Sequence, residues 1–368
     1  MADHIRLVFL GDVFLGPDPG ASLSPEVAGV VRTADLGVAN QEGPITRCDQ
    51  PVADKCSLRS HPDAAGVLRS WGVDVVTLAN NHMFDFGWEG FVQTREALQA
   101  AGIRYLGAGA NLPEATAPLV VDVDGFALGL LTYSWGFVQT TCATDTTAGC
   151  APLDPELMVE ATRRLADEVD AVVVQPHWGY CDYVYPLPEQ IELAQSLLEA
   201  GATAVVGHHS HVVQGVVGDQ DRLVAYSLGN FFFADYTDRG RPVRQTRDNH
   251  QGLVLSMQLS RQRVESYQAV PTVVRGGVVC MDDQARRHRV MARRTRPLLR
   301  DNYTRHWRRY VRWRMVRRLL YWANLFHWRK MHRGTLVSGW LMLKGAIGGR
   351  APSPTASARE AAKGQQDT

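Results

Sequence analysis

The chain has no long hydrophobic run. A membrane-spanning helix needs roughly 20 apolar residues, and the longest candidate, residues 335–347, is shorter and carries Lys344. The opening Met1-Ala2-Asp3-His4 brings no basic segment, and the apolar run at 7–10 is too short for the core of a secretory signal. A cytoplasmic location is expected. Cysteine is sparse and unpatterned: Cys48, Cys56, Cys142, Cys150, Cys181 and Cys280 show no zinc-ribbon spacing. In a reducing compartment all stay thiols; only in an exported chain would Cys48 with Cys56, or Cys142 with Cys150, become loop pairs. No repeat of fixed period occurs, and there is almost no net charge, +1 in total.

That balance hides an asymmetry. Residues 286–333 hold 17 Lys and Arg against one acid, Asp301, which leaves 22 basic and 37 acidic residues elsewhere. An acidic body carries a strongly basic arm. A chain of 368 residues suits one large domain with an appendage, or two modest domains. The expected division is 1–280 for the main domain, 281–348 for an Arg/Trp-rich helical extension, and 349–368 for a disordered tail rich in Ala, Ser, Gly and Gln.

Through the first 210 residues short apolar runs alternate with helical spacing. Strands are predicted at 7–10, 35–39, 73–78, two around the turn at 122–125, 171–175, 204–206 and 223–227; helices at 67–71, 90–101, 155–168 and 188–200. Alternating strands follow at 252–259 and 264–274. This is α/β with a mixed sheet, and functional groups are expected beyond the strand C-termini.

Five polar clusters stand there: Gly11-Asp12, Asn40-Gln41-Glu42-Gly43-Pro44, Asn80-Asn81-His82, His177-Trp178-Gly179 and Gly207-His208-His209-Ser210-His211. Asp12 and Glu42 offer carboxylates, Asn81 an amide oxygen, and His177, His209 and His211 imidazoles. Hard divalent ions take oxygen and borderline ions also take imidazole, so the set suffices for two divalent metals, with Mn²⁺, Fe²⁺ and Zn²⁺ all suited. On an extended segment His209 and His211 point the same way and His208 the other, which leaves His208 out of the set. His82, beside Asn81, could protonate a leaving alkoxide. Singly, each residue has an ordinary explanation: Asp12 and Asn80-Asn81 as turn residues, Glu42 as a solvated acid, His177 as a buried histidine with its hydrogen bonds made. The conjunction carries the metal reading.

The order and spacing of these stretches, from about residue 4 to 275, resemble the CapA family of poly-gamma-glutamate capsule biosynthesis proteins, a branch of the calcineurin-like metallophosphoesterases. Ser227-Leu228-Gly229-Asn230 and Phe84-Asp85 belong to the same pattern. The resemblance implies a four-layer α/β/β/α sandwich, with 1–280 as its metallophosphoesterase-like domain. It assigns Asp12 and His211 to one metal, Asn81, His177 and His209 to the other, Glu42 to a bridge and His82 to the general acid. Asn40, Asp85 and Asn230 would orient ligands or substrate. Three positions depart. Phe14 stands where ordinary metallophosphoesterases have a His, which leaves the first metal short of a ligand and permits single occupancy. Gln41 replaces a usual Leu. Tyr180-Cys181-Asp182 replaces a stretch with Glu; Asp182 could substitute, or Cys181 could ligate a softer metal.

In the arm, Trp307, Val311, Met315, Leu319, Trp322 and Phe326 follow helical spacing among the arginines. It could lie on an anionic membrane, dock on the acidic body, or bind nucleic acid; the last has charge but no motif and is not expected. The expectation is a metal-dependent hydrolase of a phosphoester or of an anionic polymer, linked to capsule or poly-gamma-glutamate-type polymer synthesis, peripheral at the inner membrane face. The alternative is a non-catalytic subunit of a membrane-associated polymer synthesis or export complex.

Overall fold

The computed structural model describes residues 3–323 apart from 19, 54, 219–220, 239 and 283–284. The expected tail at 349–368 and the end of the arm lie outside the described residues. In chain order the main elements are β1 (Ile5–Phe14), β2 (Ser22–Leu23), α1 (Pro25–Arg32), β3 (Leu36–Gln41), α2 (Ala64–Ser70), β4 (Val75–Thr77), α3 (Gly87–Ala100) and β5 (Arg104–Leu106). Then come β6 (Leu119–Val123), β7 (Phe126–Ser134), α4 (Pro155–Ala166), β8 (Ala171–His177), α5 (Pro188–Glu199), β9 (Ala204–Val206), β10 (Val216–Gly218) and β11 (Leu223–Ala225). The last are β12 (Asn230–Phe233), β13 (Gln251–Ser260), β14 (Arg263–Arg275), β15 (Val278–Met281), α6 (Ala285–Thr295) and α7 (Tyr303–Ala323).

Two sheets carry the architecture. One runs β2-β15-β14-β13-β1-β3-β4-β5 with β12 beside β1; the other runs β10-β11-β9-β8-β7-β6. Period-two patterning stacks them. Ile5, Leu7 and Phe9 of β1 join Leu128 and Leu130 of β7, Val173 of β8 and Leu255 of β13 in one core between the sheets. The alternate residues Val8, Leu10, Val172 and Val174 face the opposite way. They meet Val27 and Val31 of α1, Phe91 and Leu98 of α3, Met158 and Leu165 of α4, and Leu193 and Leu197 of α5. The result is an α/β/β/α sandwich, the layering that the resemblance implied. Because both faces of the central strands are covered, β1, β8 and β9 read as largely apolar runs.

The structure corrects the sequence reading in two places. No helix was read at 25–32, yet α1 forms: Ser24 caps it by accepting from Val27 N (3.5 Å), and Pro25 opens it. β1 also does not close at Gly11-Asp12 but continues to Phe14. It pairs with β13 from Ile5 to Leu10, then exchanges that partner for β12, with Asp12 opposite Asn230. Gly11 permits the exchange, since a Cβ there would collide with the Gly229 carbonyl oxygen. Asp12 is thereby set inside the sandwich rather than on a surface turn.

The basic arm docks on the body over its described part. The Tyr303 hydroxyl donates to Pro186 O (2.6 Å), and Tyr310 Oη accepts from Val184 N (3.2 Å). The Arg314 guanidinium lies 4.2 Å over the Tyr183 ring and donates to Asp182 O. Trp307 packs on Tyr183 with centroids 5.6 Å apart. These contacts all fall on the loop after β8. On the other side of α7, Trp313 and Val316 are exposed. No helix among the described residues is long and apolar enough to cross a membrane.

Candidate metal centre

Every residue named from the sequence as a candidate ligand converges on the strand ends. Asp12 comes from β1, Glu42 from the residue after β3, Asn81 and His82 from the loop after β4, His177 from the last position of β8, and His209 and His211 from the loop after β9. Asp12, Glu42 and His177 hold ligand atoms within 4.8 Å of one another. Asn40 holds the two acids together: its Nδ2 donates to Asp12 Oδ1 (2.9 Å) and to Glu42 Oε2 (2.7 Å).

The arrangement makes poor sense as hydrogen bonding. His177 Nε2 lies 2.9 Å from Asn81 Oδ1, 3.1 Å from His209 Nδ1 and 3.5 Å from Glu42 Oε1. One imidazole nitrogen carries at most one hydrogen, so it cannot serve an amide oxygen, a second imidazole and a carboxylate together. Glu42 Oε1 is buried with no hydrogen-bond partner, as are His177 Nδ1 and His208 Nε2. Native interiors rarely leave such groups unmatched. The lone pairs of Asn81 Oδ1, His177 Nε2, His209 Nδ1 and Glu42 Oε1, crowded together in excess of the protons available, fit a cation. Protonation points the same way. Burial lowers His177 well below the ordinary imidazole range, with His209 and the other imidazoles adding to it; burial first also takes His209 down to about 3. Both rings are neutral, the state that ligates. Burial, then the charge of Asp12, raises Glu42 well above the usual carboxylate range. Burial would raise Asp12 too, but the hydrogen bond and charge of His208, with His211 and Asn40, outweigh it and hold Asp12 low.

Two expectations about the histidine cluster need correcting. His208 does not point away; its Nδ1 lies 3.0 Å from Asp12 Oδ1, and it is buried. Nor is the segment extended. His209 (φ +88°) and His211 (φ +55°) are both in the left-handed region, costly for residues with a Cβ and concentrated at functional sites. A tight turn, not strand alternation, brings their rings within 5.8 Å. Asn230 Oδ1 lies 2.9 Å from His211 Nδ1, and Asn230 Nδ2 donates to Asn249 O (3.0 Å), so β12 aims this ring.

His82 stands beside the ligands. Its Nδ1 is 2.6 Å from Asp85 Oδ2, which also accepts from Leu58 N (2.7 Å). Burial lowers the pKa of His82 while Asp85 opposes the shift. Lys55, which nothing local in the sequence singled out, pairs with Asp85 Oδ1 (2.7 Å) and donates to Asn81 O. Of the departing positions, Phe14 packs on Phe233 with centroids 5.1 Å apart and offers no ligand. Asp182 is turned aside, its Oδ1 accepting from Asn249 Nδ2 (3.0 Å). Cys181 instead reaches the cluster, Sγ 3.6 Å from His209 Nε2. Although the residue is open to solvent, protein atoms crowd its sulfur, and this desolvation, then Asp182 and the nearby acids, pushes the thiol up to about 12. A cavity of about 770 Å³ lies between α4 and α5 and is lined in part by Trp178; it contains none of these ligands. A cleft of about 620 Å³ lined by Phe14, Lys55, Arg59 and Tyr236 adjoins them.

Fold and cluster define a class: a two-sheet α/β sandwich with a buried cluster of carboxylate and imidazole groups, a candidate metal centre, at its strand ends. Residues 6–235 match the family model for the bacterial capsule synthesis protein PGA_cap, and the chain belongs to that family. The matched span contains every residue of the cluster and stops short of the basic arm. The chain is 31% identical over 247 residues to the capsule biosynthesis protein CapA of Bacillus anthracis, covering 63% of this chain and 60% of that one. It is 30% identical over 242 residues to the PGA biosynthesis protein CapA of Bacillus subtilis (strain 168), covering 63% and 64%. These alignments thus span less than two thirds of either relative. Among solved structures, the calcineurin-like phosphoesterase YfkN from Bacillus subtilis is similar at 15% identity and a TM-score of 0.44, over 75% of this chain and 92% of that one. That likeness is too slight to bear on chemistry.

Proposed function

We propose that the chain is a metal-dependent hydrolase of a phosphoester, or of a bond in an anionic polymer, working in capsule or poly-gamma-glutamate-type polymer synthesis. The observation that carries this reading is the crowding of Asn81, His209 and Glu42 around one nitrogen of His177. Asp12 and His211 would hold one divalent ion, Asn81, His177 and His209 a second, with Glu42 between them; Mn²⁺, Fe²⁺ and Zn²⁺ all suit the donors. Such ions, when bound, supply positive charge that polarises a phosphoryl oxygen and acidifies a water. The chain's own groups do the rest. Asn40 fixes the carboxylates. Asp85 fixes the His82 ring through Nδ1, which leaves Nε2 to hand a proton to a leaving oxygen. Lys55 and Arg59 line the adjoining cleft together with Asp49, Asp235 and Asp238, so it offers groups of both signs to a substrate.

The test is metal content together with turnover. About two equivalents of Mn, Fe or Zn are expected, as the two-ion reading requires, with hydrolysis of an aryl phosphate or a γ-glutamyl polymer. His82→Ala should lower turnover by about 10²- to 10⁴-fold with metal retained, and Asn81→Ala should also lose activity while the fold survives. Parental rates in either variant would refute the assignment. A second reading, a non-catalytic assembly subunit, draws on Phe14, which fills with a phenyl ring a place where a ligand could stand. A metal-free chain that binds polymer would favour it.

A further inference from the structure

The donors of the centre fall into two groups that share no residue. Asp12, Glu42 and His177 form one, oxygen-rich and buried; Cys181, His209 and His211 form the other, with ligand atoms within 4.8 Å and Cys181 at the surface. Building on the metal-centre reading, we propose that Cys181 is a sulfur ligand. This divides the histidines differently from the two-ion assignment above: with His209 and His211 it makes an outer nitrogen–sulfur site that selects a thiophilic cation, Zn²⁺ above all, while Asp12, Glu42 and His177 take the harder ion.

The spacing fits. Tetrahedral zinc binds imidazole nitrogen at about 2.0–2.1 Å and thiolate sulfur at about 2.3 Å, which puts the two donors about 3.5 Å apart. Cys181 Sγ and His209 Nε2 are 3.6 Å apart. The ring of His209 is turned so that Nδ1 faces His177 at 3.1 Å and Nε2 faces the sulfur. A thiolate at this edge separates the two positions by softness, since sulfur favours Zn²⁺ and carboxylate favours Mn²⁺.

The thiol is held rather than merely nearby. On one side Asp182 N donates to Ser210 O (2.8 Å), tying the residue after Cys181 to the residue between the two histidines. Asn249 Nδ2 braces the same pair of loops, donating to Asp182 Oδ1 (3.0 Å) and His211 O (3.1 Å). On the other side α7 grips the loop, through Arg314 on Asp182 O and Tyr310 Oη on Val184 N. Binding breaks the sulfur–hydrogen bond and forms a sulfur–zinc bond, and the proton leaves to solvent. No oxidant or reductant is needed.

The experiment loads the metal-free full chain with Co²⁺ and records the absorption spectrum. The parent should show a near-ultraviolet sulfur-to-cobalt charge-transfer band, and Cys181→Ser should take up cobalt without it. Competition against a chromophoric chelator should show Zn²⁺ affinity falling by about tenfold or more in Cys181→Ser, the scale of losing a group that supports a metal site, with Mn²⁺ affinity unchanged. Cobalt bound by the parent without the band, or a band that persists in Cys181→Ser, overturns this inference and leaves the metal centre standing. A parent chain that binds no divalent ion overturns both. Cys181 is exposed, so the serine variant should fold; its circular dichroism and melting temperature check that directly.

Discussion

The candidate metal centre and the basic arm are both rich in polar groups, and they hold them in opposite ways. In the centre Asp12, Glu42, His177 and His209 are all essentially inaccessible, and several of their donor atoms have no hydrogen-bond match. In α7 Arg305, Arg308, Arg309, Arg312 and Arg317 face water, and its attachment rests on the hydroxyls of Tyr303 and Tyr310, the Trp307 ring and the Arg314 guanidinium, while Arg287 and Arg294 ahead of it bond to the body directly. An exposed arginine loses little solvation, so its presence says little about what it binds. A buried carboxylate with a bare oxygen loses a great deal, so something must compensate it. Unmatched burial, rather than charge density, identifies the functional region.

Three measurements would break or sharpen that contrast. The largest effect is expected for Asn40→Ala, which removes the amide joining Asp12 to Glu42 inside the sandwich. Leaving buried acceptors unmatched costs about 1–3 kcal/mol, and urea unfolding of the metal-free protein should show it, with added metal recovering part of the loss. Next comes the linkage of metal uptake to protons. Because Glu42 is raised well above the ordinary range, it must release a proton to ligate, so metal affinity should climb as pH rises toward its raised pKa. The climb approaches about tenfold, or 1.4 kcal/mol, per pH unit for one proton. His209, lowered to about 3, is already neutral and contributes none near pH 7. Titration calorimetry of Cys181→Ser, which has no thiol proton to release, in buffers of different ionisation enthalpy reads the Glu42 proton directly, and a buffer-independent heat would contradict the buried-acid picture. The smallest effect is expected for Arg314→Ala, about 0.5–1 kcal/mol for a partly exposed cation–aromatic contact. A melting-temperature loss in Arg314→Ala exceeding that of Asn40→Ala would reverse the comparison.

The ligand types could be read from short strings, because each sits where an apolar run ends and a strand delivers its last residue to one pole of the sheet. Asp85 was named only through the family resemblance and not as the partner of His82; the structure joins the two at 2.6 Å. Lys55 was not named, for it lies in a loop with no periodicity and acquires meaning only beside Asp85. His208 was misplaced because strand alternation was assumed for a segment whose backbone turns left-handed at His209 and His211. The helix α1 went unread because it is short, although Ser24-Pro25 is a recognisable start.

The sequence by itself settled which chemistry was available: two carboxylates, an amide and several imidazoles, each timed to the end of a strand by the alternation of buried residues. Only the tertiary structure decided how they divide. The partner exchange of β1 at Gly11, the left-handed turn through His209 and His211, and the grip of α7 on the loop of Cys181 are long-range constraints. They depend on atoms far apart in the chain, as in the pairing of Asp12 with His208, 196 residues away. No local string encodes such a distance, because it is set by how the two sheets pack.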